Sequence, residues 1–219
     1  MEDFIPYSWT KLSHEEHIDK SQAIYEEMDK RRSIRQFSDE PIPLEAVINA
    51  IKTASTAPSG ANKQPWVFCL ISNPELKRKI RLAAEKEEQL NYSDRMSERW
   101  LEDLKKFGTN WEKPFLEKAP YLIVVCKKVY DNTDNEKSQN YYVNESVGIA
   151  SGFLLMALHK IGIYTLTHTP SPMGFLTKIL GRPDNERPFL LIPIGYPAKD
   201  LMVPNVKRKG RNEIIVEYQ

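Results

Sequence analysis

The chain has 219 residues, 41% of them hydrophobic, with 31 Lys and Arg against 30 Asp and Glu. This length suits one domain, and the hydrophobic content supports a folded core, which excludes wholesale disorder. The formal net charge of +1 gives no general attraction to nucleic acid or to an anionic membrane, so neither partner is expected. Any anion site must therefore come from local clustering of cations.

The cysteines and histidines suggest no metal site. Cys69 and Cys126 lie in apolar runs that predict strands, and neither belongs to a CxxC or Cys/His pattern, so free buried thiols are the favoured interpretation. The N-terminus has no basic region followed by an apolar core, and the apolar stretch at 147–158 is too short to span a bilayer. We therefore expect a soluble, cytoplasmic protein.

The first third of the chain predicts two helices, a loop and a strand. Ser13 and Glu16 have the spacing of a capping box, which predicts a helix to about Lys30. Apolar residues with helical spacing predict a second helix over about 43–55. A loop of small residues at 56–61 then leads into a strand at about 67–72.

A highly charged insertion follows this strand. It predicts an amphipathic helix over 74–91, whose apolar side we assign to Leu76, Ile80, Ala83 and Leu90, and a second polar helix over about 93–107. The nearly continuous apolar run at 121–127 predicts a strand in the middle of a covered sheet. Residues 131–138 are interpreted as a polar loop.

The last third predicts a long helix, two strands and a tail. The helix over 141–161 is apolar on most sides and is expected to be buried, with Gly148, Ser151 and Gly152 allowing close approach of another backbone. The remaining elements are strands at 164–167 and 189–195, a short helix between them, and a tail that could end in a strand at 213–217. Helices and strands do not alternate strictly, so the sequence predicts an α+β fold with a mixed sheet covered by helices.

Two clusters of cations stand near opposite ends of the chain, at 31–35 and at 207–209. They can be interpreted as solvated basic patches, which is the favoured explanation for an isolated cluster, or as a phosphate clamp. Arginine supports the second interpretation because its planar fork of donors matches phosphate geometry. Neither a GxGxxG nor a Walker A loop is present, so a nucleotide-like cofactor would be held in some other way.

The order of motifs resembles the nitroreductase flavoprotein family. The run RRSIR at 31–35 is followed by APSGANKQPW at 57–66, and the resemblance continues to the C-terminus through IPIGYP at 192–197 and KRK at 207–209. It implies a single FMN-binding domain over residues 1–219 and an intertwined homodimer with active sites at the interface.

Within that family, the charged insertion is similar to the active-site lid of the iodotyrosine deiodinases, here about residues 85–115. The matching residues are Glu88, Tyr92 and Lys113. Glu88 and Tyr92 are four residues apart and share a helix face. An amino acid zwitterion needs an anion for its ammonium group and a cation and a hydroxyl for its carboxylate, which these three side chains supply. Without the family context, Glu88 and Lys113 would be interpreted as ordinary surface charges.

The resemblance also implies which residues contact the flavin and the substrate. The FMN phosphate and ring are assigned to Arg31, Arg32, Ser33, Ile34 and Arg35, and Arg208 closes the phosphate site. Ser59 and Gly60 lie against the flavin of the partner subunit, and the Ala61 N–H binds the substrate's phenolate oxygen. The reactive edge of the ring is covered by Thr167, His168 and Thr169. Thr169, the candidate catalytic residue, is expected to place its hydroxyl near N5. Family members usually have Thr where His168 stands.

The sequence thus predicts FMN-dependent reductive dehalogenation of a halotyrosine such as 3-iodotyrosine. The electron donor is unidentified, with NADPH as a candidate. A general NAD(P)H-dependent nitro or quinone reductase is the alternative, because it shares the fold and the flavin but needs no zwitterion lid. A flavin-bearing halotyrosine-binding protein without turnover is the third hypothesis.

Overall fold

The computed structural model describes residues 4–133 and 136–219. Its contacts divide the chain into two units, Met1–Arg31 and Arg32–Gln219. The first unit contains helix α1, His14–Asp29. The predicted capping box is confirmed, since Glu16 N donates to Ser13 Oγ (3.2 Å) and Ser13 N donates to Glu16 Oε2 (2.7 Å). None of the described residues of this helix is buried within the single chain.

The second unit contains the sheet and the remaining helices. Its helices are α2 Leu44–Ala54, α3 Pro74–Leu90, α4 Glu98–Lys105, α5 Phe115–Lys118, α6 Val143–Lys160, α7 Gly174–Ile179 and α8 Arg211–Ile214, with a 3₁₀ turn at Gly60–Asn62 and a π-helical turn at Asn91–Arg95. Its strands are β1 Trp66–Ile71, β2 Tyr121–Lys128, β3 Tyr130–Thr133, β4 Glu136–Gln139, β5 Tyr164–Thr165 and β6 Glu186–Gly195. In the described residues, no helix is long and apolar enough to cross a membrane.

The main sheet has four strands in the order β1-β2-β6-β5. Its strands pair antiparallel throughout, and the parallel component that we expected is limited, in the described chain, to the isolated bridge between Ser33 and Thr165. The predicted middle strand is confirmed, because β2 pairs with β1 on one side and with β6 on the other. The sheet is therefore antiparallel, and residues 33–34 pair with its edge strand β5.

Helices cover both faces of this sheet. Alternate residues of β2 enter two separate cores, since Ile123 and Val125 pack with α2 and α6 while Leu122 and Val124 pack with α3, α5 and α7. Because successive side chains of a strand point to opposite faces of the sheet, β2 contributes to the hydrophobic core on each face. The arrangement fixes the C-terminal end of α3 on the same side as α5 and α7.

The prediction that the long helix is buried on most sides is wrong for the single chain. Val147, Ala150, Leu154 and Leu158 of α6 face the core. The opposite side of the helix is exposed and carries Gly148, Ile149, Gly152 and Met156. The apolar residues of this second side are not needed for the fold of one chain.

Two further predictions are corrected. The supposed polar loop at 131–138 belongs to a hairpin in which β3 pairs with β4; positions 134–135 lie outside the described residues. An exposed hairpin needs no alternation of apolar and polar residues, so residues 131–138 show no strand pattern. The supposed strand at 213–217 is also wrong, because α8, Arg211–Ile214, covers its start and residues 215–217 form no strand; Gly210 N donates to Glu213 Oε2 at 2.8 Å at the beginning of this helix.

The charged insertion is confirmed as helical, but its details differ from the prediction. The helix expected at 93–107 is divided into the π-helical turn and the shorter α4. Leu90 is 38% exposed, whereas the buried side of α3 includes Lys77, Glu85 and Glu88. The apolar periodicity was misleading here because three charged residues on this face find buried partners.

Candidate functional site

A cavity of about 240 Å³ lies where the charged insertion meets the segment after β5. It is lined by Arg35, Glu88, Tyr92, Met96, Trp100, Leu104, Thr109, Lys113, Phe115, Leu166, Thr167, His168 and Thr169. Seven of these were predicted as site residues, from four separate stretches of sequence. The fold therefore brings together the expected lid residues and the expected flavin-edge residues.

The three candidate zwitterion ligands are in contact. Glu88 lies in the last turn of α3, Tyr92 follows on the π-helical turn, and Lys113 lies just before α5. Lys113 Nζ is 3.5 Å from Glu88 Oε2 and 5.6 Å from the centre of the Tyr92 ring. The Tyr92 hydroxyl donates to the Thr109 carbonyl at 3.3 Å. Glu88 and Lys113 are 6% and 3% exposed, so this is a buried ion pair rather than two surface charges.

Burial shifts the pKa values of these groups toward their neutral forms. Desolvation raises the pKa of Glu88, although Lys113 acts in the opposite direction, and desolvation lowers the pKa of Lys113 against the opposing effect of Glu88. Desolvation also raises the pKa of Tyr92, so its hydroxyl remains a donor. Glu88 and Lys113 thus each oppose the effect of burial on the other, and the Lys113 ammonium group also donates to the Asn110 carbonyl.

The segment at 166–169 forms another wall of the cavity. Backbone bonds between His168 and Leu191, at 2.9 and 3.0 Å, fix it to β6. The His168 ring contacts Phe115 edge-on at 5.7 Å. Desolvation first, then Lys113 and Arg35, lower the His168 pKa to about 3, so the imidazole is neutral. Its Nε2 is buried and has no hydrogen-bond partner among the described residues.

The arginine run is divided among several environments. Arg35 lines the cavity and stacks over Phe107 at 5.4 Å, while Arg32 Nη2 donates to the Pro204 carbonyl. The Ile34 side chain is in the core, and its N–H donates to Thr165 O at 3.0 Å. Arg31 belongs to the first unit, so its role at the cofactor remains a prediction. Arg208 and its neighbours 207 and 209 are exposed on the tail that Pro204 connects to Arg32.

The loop that was predicted to contact the partner's flavin has a strained backbone. Ala61, Asn62 and Gln64 have φ values of 49°, 52° and 47°, and the Gln64 N–H donates to Ser59 Oγ at 2.9 Å. A Cβ on Gly60 would lie 2.9 Å from Tyr142 Cδ2 and 3.1 Å from the Tyr141 carbonyl oxygen, so glycine permits this close approach. Left-handed non-glycine residues are concentrated at functional sites. Ser59, Gly60 and Ala61 are not among the described residues that line the cavity.

Sequence reasoning missed the apolar lining of the cavity. Met96, Trp100 and Leu104 are spaced four residues apart and present one side of the lid to the cavity. This spacing could have identified them, but Trp100 was interpreted only as part of a polar helix. Phe115 and Leu166 carry no comparable signal, because an isolated apolar residue near a strand or helix normally belongs to the core.

Comparisons with known proteins agree with this geometry. The model of the nitroreductase family matches residues 28–196. An iodotyrosine deiodinase of Haliscomenobacter hydrossis is 59% identical over 98% of this chain and 97% of its own length. An iodotyrosine deiodinase of Hydra vulgaris is 47% identical over 99% of this chain and 80% of its own length.

A solved structure gives the same result at the level of the fold. The crystal structure of an oxidized iodotyrosine deiodinase bound to FMN and 3-iodo-L-tyrosine superposes with a TM-score of 0.77 at 35% identity, covering 90% of this chain and 98% of that one. The resemblance inferred from the motifs is therefore confirmed over nearly the whole sequence. The chain belongs to the nitroreductase family and, within it, to the iodotyrosine deiodinases.

Proposed function

We propose that this protein catalyses the FMN-dependent reductive dehalogenation of halotyrosines, with 3-iodotyrosine giving tyrosine and iodide. The observation that carries the proposal is the buried pair of Glu88 and Lys113 beside Tyr92, at a cavity whose other wall carries Thr167 and Thr169. A general nitroreductase has no use for a buried anion and cation at this position. The likeness to a structure that holds FMN and 3-iodo-L-tyrosine supports the same conclusion.

The residues present fit FMN in their chemistry. A phosphate monoester needs several cationic donors, and Arg32 is bonded to the tail that carries Lys207, Arg208 and Lys209. The buried Nε2 of His168, which lacks a partner in the described chain, lies in the segment whose neighbours Thr167 and Thr169 were assigned to the flavin edge. When bound, FMN supplies the two electrons that, with one proton, convert a carbon–iodine bond into a carbon–hydrogen bond and iodide.

Recognition of the amino acid group would proceed by exchange of ion pairs. Without substrate, Glu88 and Lys113 neutralise each other at 3.5 Å. A zwitterion inserted between them gives Glu88 the ammonium group and Lys113 the carboxylate, so two charge-assisted contacts replace one. Tyr92 adds its hydroxyl to the carboxylate by giving up the Thr109 carbonyl. The Ala61 N–H is assigned to the phenolate oxygen.

A homodimer is part of the proposal. The exposed side of α6 carries Gly148 and Gly152, where an added Cβ would meet no described atom within 4 Å, together with Ile149 and Met156 at 43% and 38% exposure. Apolar side chains are also exposed on the tail, among them Val206, Ile214, Val216 and Tyr218. A second copy would bury both surfaces, and Ser59, Gly60 and Ala61 would then contribute to the partner's flavin site.

The finer details of location and electron supply belong to the same proposal. We infer a cytoplasmic location, which the free thiols of Cys69 and Cys126 support because a reducing compartment keeps cysteines in this form. We propose NADPH, acting directly or through a reductase, as the source of electrons.

The proposal is tested by comparing substrates under one reductant. FMN-loaded protein is supplied with dithionite, and iodide release from 3-iodotyrosine is measured beside reduction of a simple nitroaromatic. Deiodination with much the higher kcat/KM supports the proposal. Efficient nitroreduction with little iodide would instead assign the protein to the general nitroreductases.

A further inference from the structure

One side of α3 carries a row of four charged side chains, of which Glu88 is the last. Lys77, Arg81, Glu85 and Glu88 follow one another at spacings of four, four and three residues, and therefore lie along one side of the helix. Lys77 and Glu85 are only 8% and 7% exposed. Buried charges of this kind persist only where partners satisfy them.

Their partners lie in one short stretch of chain, residues 113–120. Lys77 Nζ donates to the carbonyls of Glu117 and Ala119 at 2.9 and 2.8 Å. Glu85 Oε1 accepts the Lys113 N–H at 2.7 Å and the Arg81 Nε–H at 2.8 Å. Lys77 thus donates to carbonyls at the C-terminal end of α5, and Glu85 accepts from an amide just before this helix. Side chains of α3 therefore hold both ends of residues 113–120 by hydrogen bonds to main-chain groups of that stretch.

Glu85 fixes the residue whose side chain belongs to the zwitterion site. The main chain of Lys113 is held by Glu85, and its ammonium group points to Glu88, one helical turn further along α3. Glu85 itself is not among the described residues lining the cavity. Its direct contact with the zwitterion site is the hydrogen bond from the Lys113 N–H.

We propose that Glu85 is a positioning residue that anchors the returning end of the lid and holds the Lys113 ammonium group beside Glu88 before substrate arrives. The role of the Lys113 ammonium group rests on the proposed function. The anchoring of the Lys113 main chain by Glu85 is independent of it. Arg81 orients the Glu85 carboxylate through the Nε contact at 2.8 Å, and Arg81 Nη1 is also 3.4 Å from Glu117 Oε1.

The first test measures anchoring without any ligand but the cofactor. Hydrogen exchange is followed in peptides covering 107–118 of FMN-loaded wild type, Glu85→Ala, Glu85→Gln and Glu102→Ala. Glu102 is a matched control, because it is an exposed lid glutamate whose partner is Lys105. Glu85→Ala should accelerate exchange at the Lys113 amide at least tenfold. Glu85→Gln, which keeps an acceptor oxygen, should do so less, and Glu102→Ala should match wild type. Unchanged protection in both Glu85 variants would overturn the proposal.

The second test measures positioning by flavin-fluorescence quenching with 3-iodotyrosine and with 2-iodophenol, which lacks the zwitterion. Glu85→Ala should raise the Kd of iodotyrosine about tenfold, while the Kd of iodophenol changes less than twofold. A double-mutant cycle with Lys113→Ala separates positioning from general destabilisation, because Glu85→Ala should add nothing once the ammonium group is gone.

Additive losses in the cycle, or equal losses for both ligands, would overturn the positioning role. If wild type itself binds both ligands equally, the proposed function fails; the exchange experiment then still decides whether Glu85 anchors Lys113. Should Glu85→Ala fail to fold, Glu85→Gln carries both measurements.

Discussion

At the scale of single residues, the defining feature is a buried ion pair of the Glu88 carboxylate and the Lys113 ammonium group, which also donates to the Asn110 carbonyl. Removing both from water costs several kcal/mol, and their attraction in a low-dielectric site offsets that cost only with good geometry. Deleting one partner leaves an uncompensated charge. The pair is therefore a poor device for stability alone, and its position at a cavity indicates recognition.

Glu88→Gln and Lys113→Ala should each raise the Kd of 3-iodotyrosine by about tenfold or more. Each removes one charge-assisted contact with the zwitterion, worth roughly 1.5–3 kcal/mol, and 1.4 kcal/mol corresponds to a factor of ten. Fluorescence titration of bound FMN measures the effect. Nitroaromatic turnover is the control and should change little, and variants that bind iodotyrosine as tightly as wild type would refute the assignment.

The pH dependence of selectivity follows from the same pair. The pKa of Glu88 is raised by burial, so Glu88 loses its charge as pH falls through that raised value, and the substrate's ammonium group loses its anion. The ratio of iodotyrosine to iodophenol affinity should therefore fall on the acid side. Both ligands carry an ortho-iodinated phenol, so taking the ratio of their affinities largely removes the effect of phenol ionisation. Glu88→Gln should lack this acid limb, and an identical pH profile in the variant would argue against Glu88 as the titrating group.

At the scale of elements, the lid helix and the segment at 166–169 determine the shape of the cavity. The apolar lid side chains Met96, Trp100 and Leu104 face the cavity. At the start of this segment, Asn91 Nδ2 donates to the Ser171 carbonyl at 3.0 Å. Trp100 is 55% exposed even so. We expect halotyrosine to order residues 91–112 further by covering this apolar surface, as lid closure on substrate commonly does.

Trp100→Ala should test whether the lid helix covers the aromatic ring of the ligand. Loss of a large apolar contact should raise the Kd of both iodotyrosine and iodophenol, in contrast to the Glu88 variant, which affects iodotyrosine alone. An increase of about tenfold corresponds to partial burial of an indole. Unchanged affinity for both ligands would mean that α4 does not cover the ring.

Gly60→Ala should destabilise the protein by about 1–3 kcal/mol, because the added Cβ would lie 2.9 Å from Tyr142 Cδ2 and 3.1 Å from the Tyr141 carbonyl oxygen, so these neighbours must move. Thermal unfolding measures the change. Gly174→Ala is a suitable control, since no described atom lies within 4 Å of its Cβ position at the start of α7. Equal melting temperatures for Gly60→Ala and wild type would show that the loop is tolerant.

The elements also indicate how far sequence reasoning can reach. Capping at Ser13, apolar spacing in α2 and the apolar run of β2 are local signals, and each predicted its element correctly. The hairpin at 130–139 and the short α8 were missed because neither needs an apolar pattern. Without the family motifs, the residues predicted no more than a possible phosphate site formed by clustered cations. The family motifs assigned Glu88 and Lys113, which are 25 positions apart, to one substrate site, and nothing local could have indicated that they lie together.

At the scale of the whole molecule, one chain leaves apolar surface uncovered. The exposed side of α6 and the tail after residue 197 both carry hydrophobic side chains. Exposed apolar patches of this kind mark interaction sites. The proposed homodimer would cover both patches and the two glycines on α6, where an added Cβ would meet no described atom within 4 Å.

Gly148→Leu combined with Gly152→Leu should weaken the dimer. Leucines at these positions would hold two α6 helices apart, yet they meet no described atom of their own chain. Sedimentation velocity should give a dimer for wild type and a larger monomer fraction for the double variant, with a parallel loss of bound FMN. A wild-type monomer that retains one FMN per chain would contradict the shared active site.

The most direct measurement of the central claim is an anaerobic single turnover. Protein with fully reduced FMN is mixed with 3-iodotyrosine, and flavin oxidation, iodide and tyrosine are quantified together. The account predicts one iodide and one tyrosine for each flavin oxidised by two electrons, and a much slower reaction at equal concentration of 2-iodophenol. Tight binding of iodotyrosine without iodide, or equal rates for the two compounds, would contradict it.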